Sequence, residues 1–380
     1  MEKRPGIRGF ELEGYRAFPG QEHLDLGRIT LILGRNNAGK SALCFAPVYF
    51  AQAFRSNAPM PLEQKVGDLD FGPVRSAVYR RRPTGMRFAL DLEDCEVEQA
   101  GLGWTATSEG EPLRQIVTGL VLAPGTDRVV APRTPWEEVR GEIARHPALG
   151  ALPREVLALK GVRPEPERLE TPVGYEPEHV EAWGREAGQI LWARGEAGVQ
   201  EVNTWFERLG VRIGVSPVRD HFEITAAGRA GEPVSLVDSG AGLAQALPLV
   251  VQILLARRMP RLWCLEQPEL HLHPRAHVDI AELLIECIRR HPQTRLLVET
   301  HSDVLALRLR REVAAGNLGP DDVRIYFVDD QGEEGSTVRG IRLDQDANPS
   351  WWPDGVFAEP QWEFAAIRRA ARDRRARDSH

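Results

Sequence analysis

Lysine is scarce in this 380-residue chain: arginine supplies nearly all of the 48 basic residues, so a lysine inside a recognisable motif carries unusual weight. Cysteine is scarce too. Cys44, Cys95, Cys264 and Cys287 are scattered with no C-x-x-C spacing, which argues against a disulfide framework and for reduced, buried thiols. No stretch of about 18 uncharged apolar residues occurs, and Met-Glu-Lys-Arg-Pro-Gly leads into no apolar signal core. The expectation is a cytoplasmic protein with no membrane partner. A positive balance is lacking as well: a formal charge of −7 and a pI near 5.9 argue against nucleic acid coating the whole surface, although a local basic patch stays open. No internal repeat is visible, so a solenoid is not expected.

What is present suffices for a large core, with 42% hydrophobic and 27% charged residues. The length suits two or three domain-sized units, or one large α/β domain carrying an insertion. Residues 7 to 33 alternate apolar and polar positions around Pro19-Gly20, a hairpin-like pair feeding the apolar run Ile29 to Leu33. Ser41 to about Phe54 reads as an apolar helix, and 86 to 98 as a strand. Between about 100 and 177 proline and glycine rise, and one helix start is legible at Thr134, Pro135 and Glu137. Helical spacing resumes over 177 to 209 and stops at Gly210, followed by strands over 211 to 215 and 221 to 225. Then come a helix over 243 to 257, a strand over 261 to 265, a helix over 278 to 290, and strands over 295 to 298 and 323 to 328. This alternation predicts an α/β fold with a mostly parallel sheet and helices on both faces. The expected divisions are 1–99, an N-terminal lobe; 100–199, an inserted lobe; 200–357, a C-terminal lobe; and 358–380, an Arg-rich tail.

The segment Gly34-Arg35-Asn36-Asn37-Ala38-Gly39-Lys40-Ser41, followed by Ala42, fits the P-loop pattern G-x-x-x-x-G-K-[ST] directly after an apolar strand. Its glycines let successive N–H groups and a helix N-terminus converge on phosphate. Lys40 would reach the terminal phosphates and Ser41 would hold Mg²⁺. The bland alternative is a glycine-rich turn.

Three further segments are weaker singly. Arg261 to Leu265 is an apolar run ending in Glu266-Gln267-Pro268-Glu269, an acidic strand tip suited to completing a Mg²⁺ shell, or merely an exposed loop. Leu296-Leu297-Val298-Glu299-Thr300-His301-Ser302 is a second tip, whose histidine suits hydrogen bonding to a developing phosphate charge, or is simply a satisfied strand-end histidine. Val237 to Gln245 is rich in small residues before a long apolar helix, a second anion site or a plain helix start capped by Ser239.

In this order the four segments resemble the Walker A, signature, Walker B and switch-histidine series of ABC-type ATPase heads. Gly34 to Ser41, Glu266-Gln-Pro-Glu-Leu-His-Leu-His-Pro274 and Glu299-Thr-His-Ser-Asp look like the RecF, SMC-like and OLD ATPases of prokaryotes. Gly242 to Pro248 and Asp354 to Phe357 suggest an OLD-related AAA-type family without a Toprim domain. The resemblance covers about 7 to 92 and 200 to 357 and leaves the middle lobe unmatched. It implies an ATPase with ATP and Mg²⁺ as cofactors, a head-to-tail homodimer closed by ATP, and DNA or a nuclease or other effector as partner, as in genome maintenance or phage defence. Ser239, Gly242 and Gln245 of one molecule would cap the nucleotide of the other, Glu266 would hold Mg²⁺ through water, and His301 would face the γ-phosphate.

The position after the Walker B acid, usually glutamate, is Gln267, which can orient water but not take its proton. Either Glu269 substitutes, or the chain is an ATP-gated switch with little hydrolysis. A transporter subunit is a third, weaker reading. His271, His273 and His277 lack the spacing of a transition-metal site. The Arg368 to Arg377 run and Arg80-Arg81-Arg82 read as backbone contacts for nucleic acid or as solvated arginine bias. Trp351-Trp352 reads as packing of the tail against the body.

Overall fold

In the computed structural model the described residues are 4–52, 54, 65–66, 69–70, 77–79, 85–105, 114–122, 134–135, 141, 143, 145–160, 169–170, 177–219, 221–236, 238–354 and 367. The alternating N-terminal segment forms β1 (Gly6–Glu13) and β2 (Glu22–Asp25), paired antiparallel with Phe10 opposite Leu24. The uninterrupted apolar run is β3 (Ile29–Gly34), and the loop after it feeds α1 (Lys40–Gln52). After the two-residue strands β4 (Lys65–Val66) and β5 (Leu69–Asp70) come β6 (Met86–Glu93), β7 (Val97–Thr105), β8 (Arg114–Leu122) and β9 (Thr134–Pro135). They build an antiparallel sheet of order β2-β1-β6-β7-β8-β9.

Helix α2 (Pro147–Glu155) hands directly to β10 (Val156–Leu159). Beyond it lie β11 (Leu169–Glu170), α3 (Glu186–Phe206), β12 (Val211–Val218), β13 (His221–Gly228) and β14 (Val234–Ser235), these four strands forming a small antiparallel sheet. The regular C-terminal part runs α4 (Ala241–Leu255), β15 (Leu262–Glu266), α5 (Pro274–Arg290), β16 (Arg295–Glu299), α6 (Asp303–Ala314), β17 (Val323–Asp330) and β18 (Ser336–Ile341). The principal sheet has the order β10-β15-β16-β3-β17-β18 and is parallel except for the β17–β18 hairpin.

The period-two geometry of strands explains the layers. Ile32, Leu262, Cys264, Leu297 and Val328 face one way, into a core shared with α1 and the antiparallel sheet. Ile29, Leu31, Leu33, Trp263, Leu265, Leu296 and Val298 face the other way, onto α3, α4, α5 and α6. Both faces of the strands are covered, which is why they read as continuous apolar runs. Helix α1 is enclosed on nearly all sides, as a helix without a polar face requires. On α5 the expected inner residues Ile280, Leu283, Leu284 and Cys287 are buried.

Several expectations change. Thr134 and Pro135 do not start a helix; they pair with β8 as an edge strand, so sheet hydrogen bonding prevails over a local capping pattern, and Glu137 lies outside the described residues. The 177–209 helix begins only at Glu186, because the preceding chain is drawn onto the core: the Val180 N–H donates to Gln252 Oε1 at 2.5 Å. Gly195 interrupts it, and Gly210 ends the following 3₁₀ turn in the left-handed region, where glycine was expected. The division at 99 cuts through β7, and β10, within the supposed inserted lobe, is an edge strand of the principal sheet. Trp351 packs edge-on against Phe327 and donates from Nε1 to Gly340 O at 2.7 Å, tying the late chain to the body as expected. Arg80–Arg82, Val237, residues 355–357 and the Arg368–Arg377 run lie outside the described residues. Among the described residues no helix is long and apolar enough to cross a membrane.

Trp263, 1% exposed on β15, joins the sheet to the outer helices. Trp263→Ala is expected to cost about 3–5 kcal/mol through the cavity it leaves. Leu307→Ala, on the exposed side of α6, should stay within about 0.5 kcal/mol. Urea denaturation with unchanged slope checks both values.

Candidate nucleotide site

Parallel pairing brings the expected residues to one edge of the principal sheet. Strands β3, β15, β16 and β17 all end there, with β3 held between β16 and β17. Glu266, last in β15, is in register with Glu299, last in β16, and Glu299 with Ile32 of β3. Neighbouring strands lie about 4.8 Å apart. Two carboxylates therefore stand side by side next to the strand that enters the Gly34–Ser41 loop.

The loop curls over this edge. Arg35, Asn36 and Asn37 form its exposed tip, while Ala38 is buried and Ala42 half-buried in the first turn of α1. Gly39 has φ 94°, and a Cβ there would come within 2.9 Å of the Ala17 Cβ, so both conformation and space demand glycine. Lys40 is 4% exposed and donates from Nζ to Arg35 O at 2.6 Å, with its ammonium folded over the loop. Burial lowers its pKa, and the nearby Glu299 carboxylate works in the opposite direction.

Glu299 emerges as the central acid. It is 2% exposed, and burial lifts its pKa above the usual carboxylate range, reinforced by Glu266 and opposed by hydrogen bonds from Ser41 and Gln267 and by the Lys40 charge. Its Oε2 is shielded and has no partner among the described residues. The hydroxyl of Ser41 and the carboxylates of Glu266 and Glu299, the latter with its orphaned Oε2, make a donor set that fits a hard divalent cation such as Mg²⁺. Motif reading assigned a role to Glu266 and left Glu299 without one. The available signal was an acid closing an apolar strand immediately before the histidine.

Gln267 turns back toward that acid, with φ 43°, its N–H donating to Glu299 O at 2.8 Å and its Nε2 to Glu299 Oε1 at 3.3 Å. Glu269 is engaged on one oxygen. Its Oε1 accepts from Thr300 Oγ1 at 2.6 Å and from the His301 N–H at 3.1 Å, and burial raises its pKa. It thus ties the loop after β15 to the loop after β16 through one oxygen, while its Oε2 is shielded and has no partner among the described residues. His301 stands exposed beyond this tie, its pKa lowered by partial desolvation and then by the Lys40 charge, which places the ring within electrostatic reach of the phosphate loop. Two neighbouring histidines have structural work. His273 caps α5 by accepting from the Arg275 N–H, and His277 Nδ1 lies 2.8 Å from Ser302 Oγ.

The start of α4 reaches the same edge. Gly242 is packed so closely that a Cβ would lie 2.6 Å from His271 O. Ser239 is half-buried and donates to Leu236 O at 2.7 Å; Gly240, not Ser239, occupies the N-cap position. Gln245, expected to reach a nucleotide on a sister molecule, is turned inward: it is 5% exposed and donates from Nε2 to Gln267 O of its own chain at 2.9 Å. Buried in this way, it supports the loop after β15.

Residues 190–308 match the family described as "AAA domain, putative AbiEii toxin, Type IV TA system". That span holds α4, Glu266 to Glu269 and Glu299 to Ser302, and stops short of including Gly34–Ser41. No curated protein matches the chain in sequence. Among solved structures, the chain is similar to an SMC head bound to the C-winged helix domain of ScpA, at 13% identity and TM-score 0.50, covering 90% of this chain and 98% of that one. It is also similar to an Smc head with an extended coiled coil, bound to the C-terminal domain of ScpA derived from Pyrococcus furiosus, at 12% identity and TM-score 0.50, covering 89% and 96% respectively. At such identities the likeness is one of fold. The chain therefore shares the fold of these heads, with the Gly34–Ser41 loop and the two strand-end carboxylates at one edge of its principal sheet.

Proposed function

We propose that the protein is an ABC-type ATPase that binds Mg-ATP at Gly34–Ser41, pairs head to tail with a second copy, and couples that cycle to DNA or a DNA-processing partner. The observation carrying this reading is the convergence of Lys40, Ser41, Glu266, Glu299 and His301 on one edge of the parallel sheet. The loop amides and Lys40 take the phosphates, and Ser41 with Glu266 holds Mg²⁺, which supplies charge neutralisation at the transferring phosphoryl group. His301 donates to the oxygens on which charge grows.

The start of α4, where Ser239 is half-buried and Gly240 and Ala241 are exposed, supplies the second anion site, offered to the nucleotide of a sister molecule. Gln245 acts behind it through Gln267. The ScpA-bound neighbours support a protein partner for this head, and the partial match to an AAA-type toxin-system family supports a role in defence. Within that class the motifs favour the RecF, SMC-like and OLD branch.

A second reading, an ATP-closed switch with little turnover, is favoured by one observation: the amide of Gln267 stands where a base is needed. In the hydrolytic reading, by contrast, the Gln267 amide, whose Nε2 lies against Glu299, orients water beside that carboxylate, which accepts the proton.

Lys40→Ala is expected to weaken binding of a nonhydrolysable ATP analogue roughly 10- to 100-fold, the worth of one charged hydrogen-bonding group. Calorimetric titration measures this, and unchanged affinity would remove the nucleotide reading. Phosphate release separates the two catalytic versions. If Glu299 is the base, Glu299→Gln should lower turnover by about 10²-fold or more while the analogue still binds. If the chain is a slow switch, wild-type turnover is negligible, ATP still drives dimerisation on a sizing column, and Gln267→Glu restores release.

A further inference from the structure

The opposite edge of the principal sheet carries a second charged site. Helix α2 ends at Glu155 and β10 starts at Val156, in register with Leu262, the first residue of β15. Arg257 and Arg258 lie in the short connection between α4 and β15. Around these strand starts opens a cavity of 580 Å³, lined among the described residues by Arg4, Arg145, Arg154, Arg257 and Arg258 together with Glu155 and Glu178. A five-residue strand spans about 17 Å, so this cavity is separated from the Glu266–Glu299 edge by the depth of the sheet.

Five guanidiniums against two carboxylates leave the lining positive by three charges, on a chain whose formal charge is −7. The arrangement is built. Glu155, 1% exposed, accepts from Arg4 Nε at 2.7 Å, from a second Arg4 nitrogen, and from Arg258 Nη2 at 2.7 Å. Arg4 Nη2 also donates to Met259 O at 2.7 Å. One buried carboxylate therefore holds two guanidiniums in place while neutralising only one charge. Arg145 and Arg154 are exposed, and Arg154 makes no hydrogen bond or ion pair among the described residues. The Nδ1 of His146, also in the lining, is shielded and lacks a partner among them.

We infer that this cavity is a binding site for a multiply phosphorylated ligand, distinct from the nucleotide site. Planar guanidiniums fixed in place match phosphate oxygens in pairs. The volume lies in the range of small-ligand sites. Among the described lining residues only His146 carries an aromatic ring, whereas five carry guanidiniums, so the chemistry that dominates the lining is recognition of phosphate. A free polyphosphorylated compound and the backbone of a nucleic acid both present that chemistry.

The test uses the full-length chain carrying Lys40→Ala, titrated with inorganic tripolyphosphate and separately with a short duplex DNA. The comparison variants are Arg145→Glu/Arg154→Glu and the milder Arg145→Gln/Arg154→Gln, both outside the Glu155 pair. Tripolyphosphate, DNA or both should bind, weakened at least tenfold by the Glu pair and less by the Gln pair. In the Lys40 chain the same pairs should leave ATP-analogue affinity within twofold, which verifies folding. DNA displaced by tripolyphosphate, with a shallower salt dependence in the variants, identifies a nucleic-acid backbone as the source. Tripolyphosphate binding without DNA competition identifies a free compound. If neither probe binds, or the Glu pair binds both as tightly as its parent, the inference is overturned.

Discussion

The parallel register of β15, β16 and β3 is the constraint on which the site depends. A one-residue slip between β15 and β16 would turn every side chain of one strand to the other face. Trp263 and Leu265 would leave the core beneath the outer helices, and Glu266 would no longer stand beside Glu299. The same apolar packing that stabilises the sheet therefore sets the spacing of its two terminal acids. Chemistry at the edge is positioned by burial in the middle.

Beyond that edge, precision comes from a few polar links instead of apolar packing. Gln245 supports Gln267, Gln267 bends back onto Glu299, and Glu269 binds Thr300 and the His301 amide. Each link joins segments from different strands or helices, so the loops after β15 and β16 form one connected unit with the start of α4. Burial of two carboxylates with orphaned oxygens, Glu269 and Glu299, is costly in isolation. A cation or phosphate-linked water network is the kind of partner that would offset that cost at Glu299, whereas Glu269 is held by its neighbours on one oxygen only.

Much of this was legible in the sequence because it follows local rules. The Gly34–Ser41 spacing, the apolar strands before Glu266 and Glu299, and the spacing of Ile280, Leu283, Leu284 and Cys287 on α5 all state their structure within a few residues. What was missed depends on contacts distant in the chain. Glu299 gains its place only through pairing with β3 and β15, and Gln245 its inward turn only because the loop after β15 comes to lie beneath it. No local pattern reveals that Thr300 will bond one oxygen of Glu269. Thr134-Pro135 carried a sound capping signal, which lost to strand pairing with β8. The strand β10 was hidden for a similar reason: four residues in a Pro- and Gly-rich stretch become sheet only against β15.

The enclosure of α1 has a mechanical corollary. Its first residue, Lys40, belongs to the phosphate loop, while Leu43, Phe45, Tyr49 and Phe50 are seated among the strands of both large sheets and Gln52 donates to Pro153 O on α2. A rod packed on nearly all sides does not tilt alone. Any displacement begun at the loop must be passed along its axis as a push on the antiparallel sheet or on α2, so the far walls of the molecule are geared to the mouth of the site.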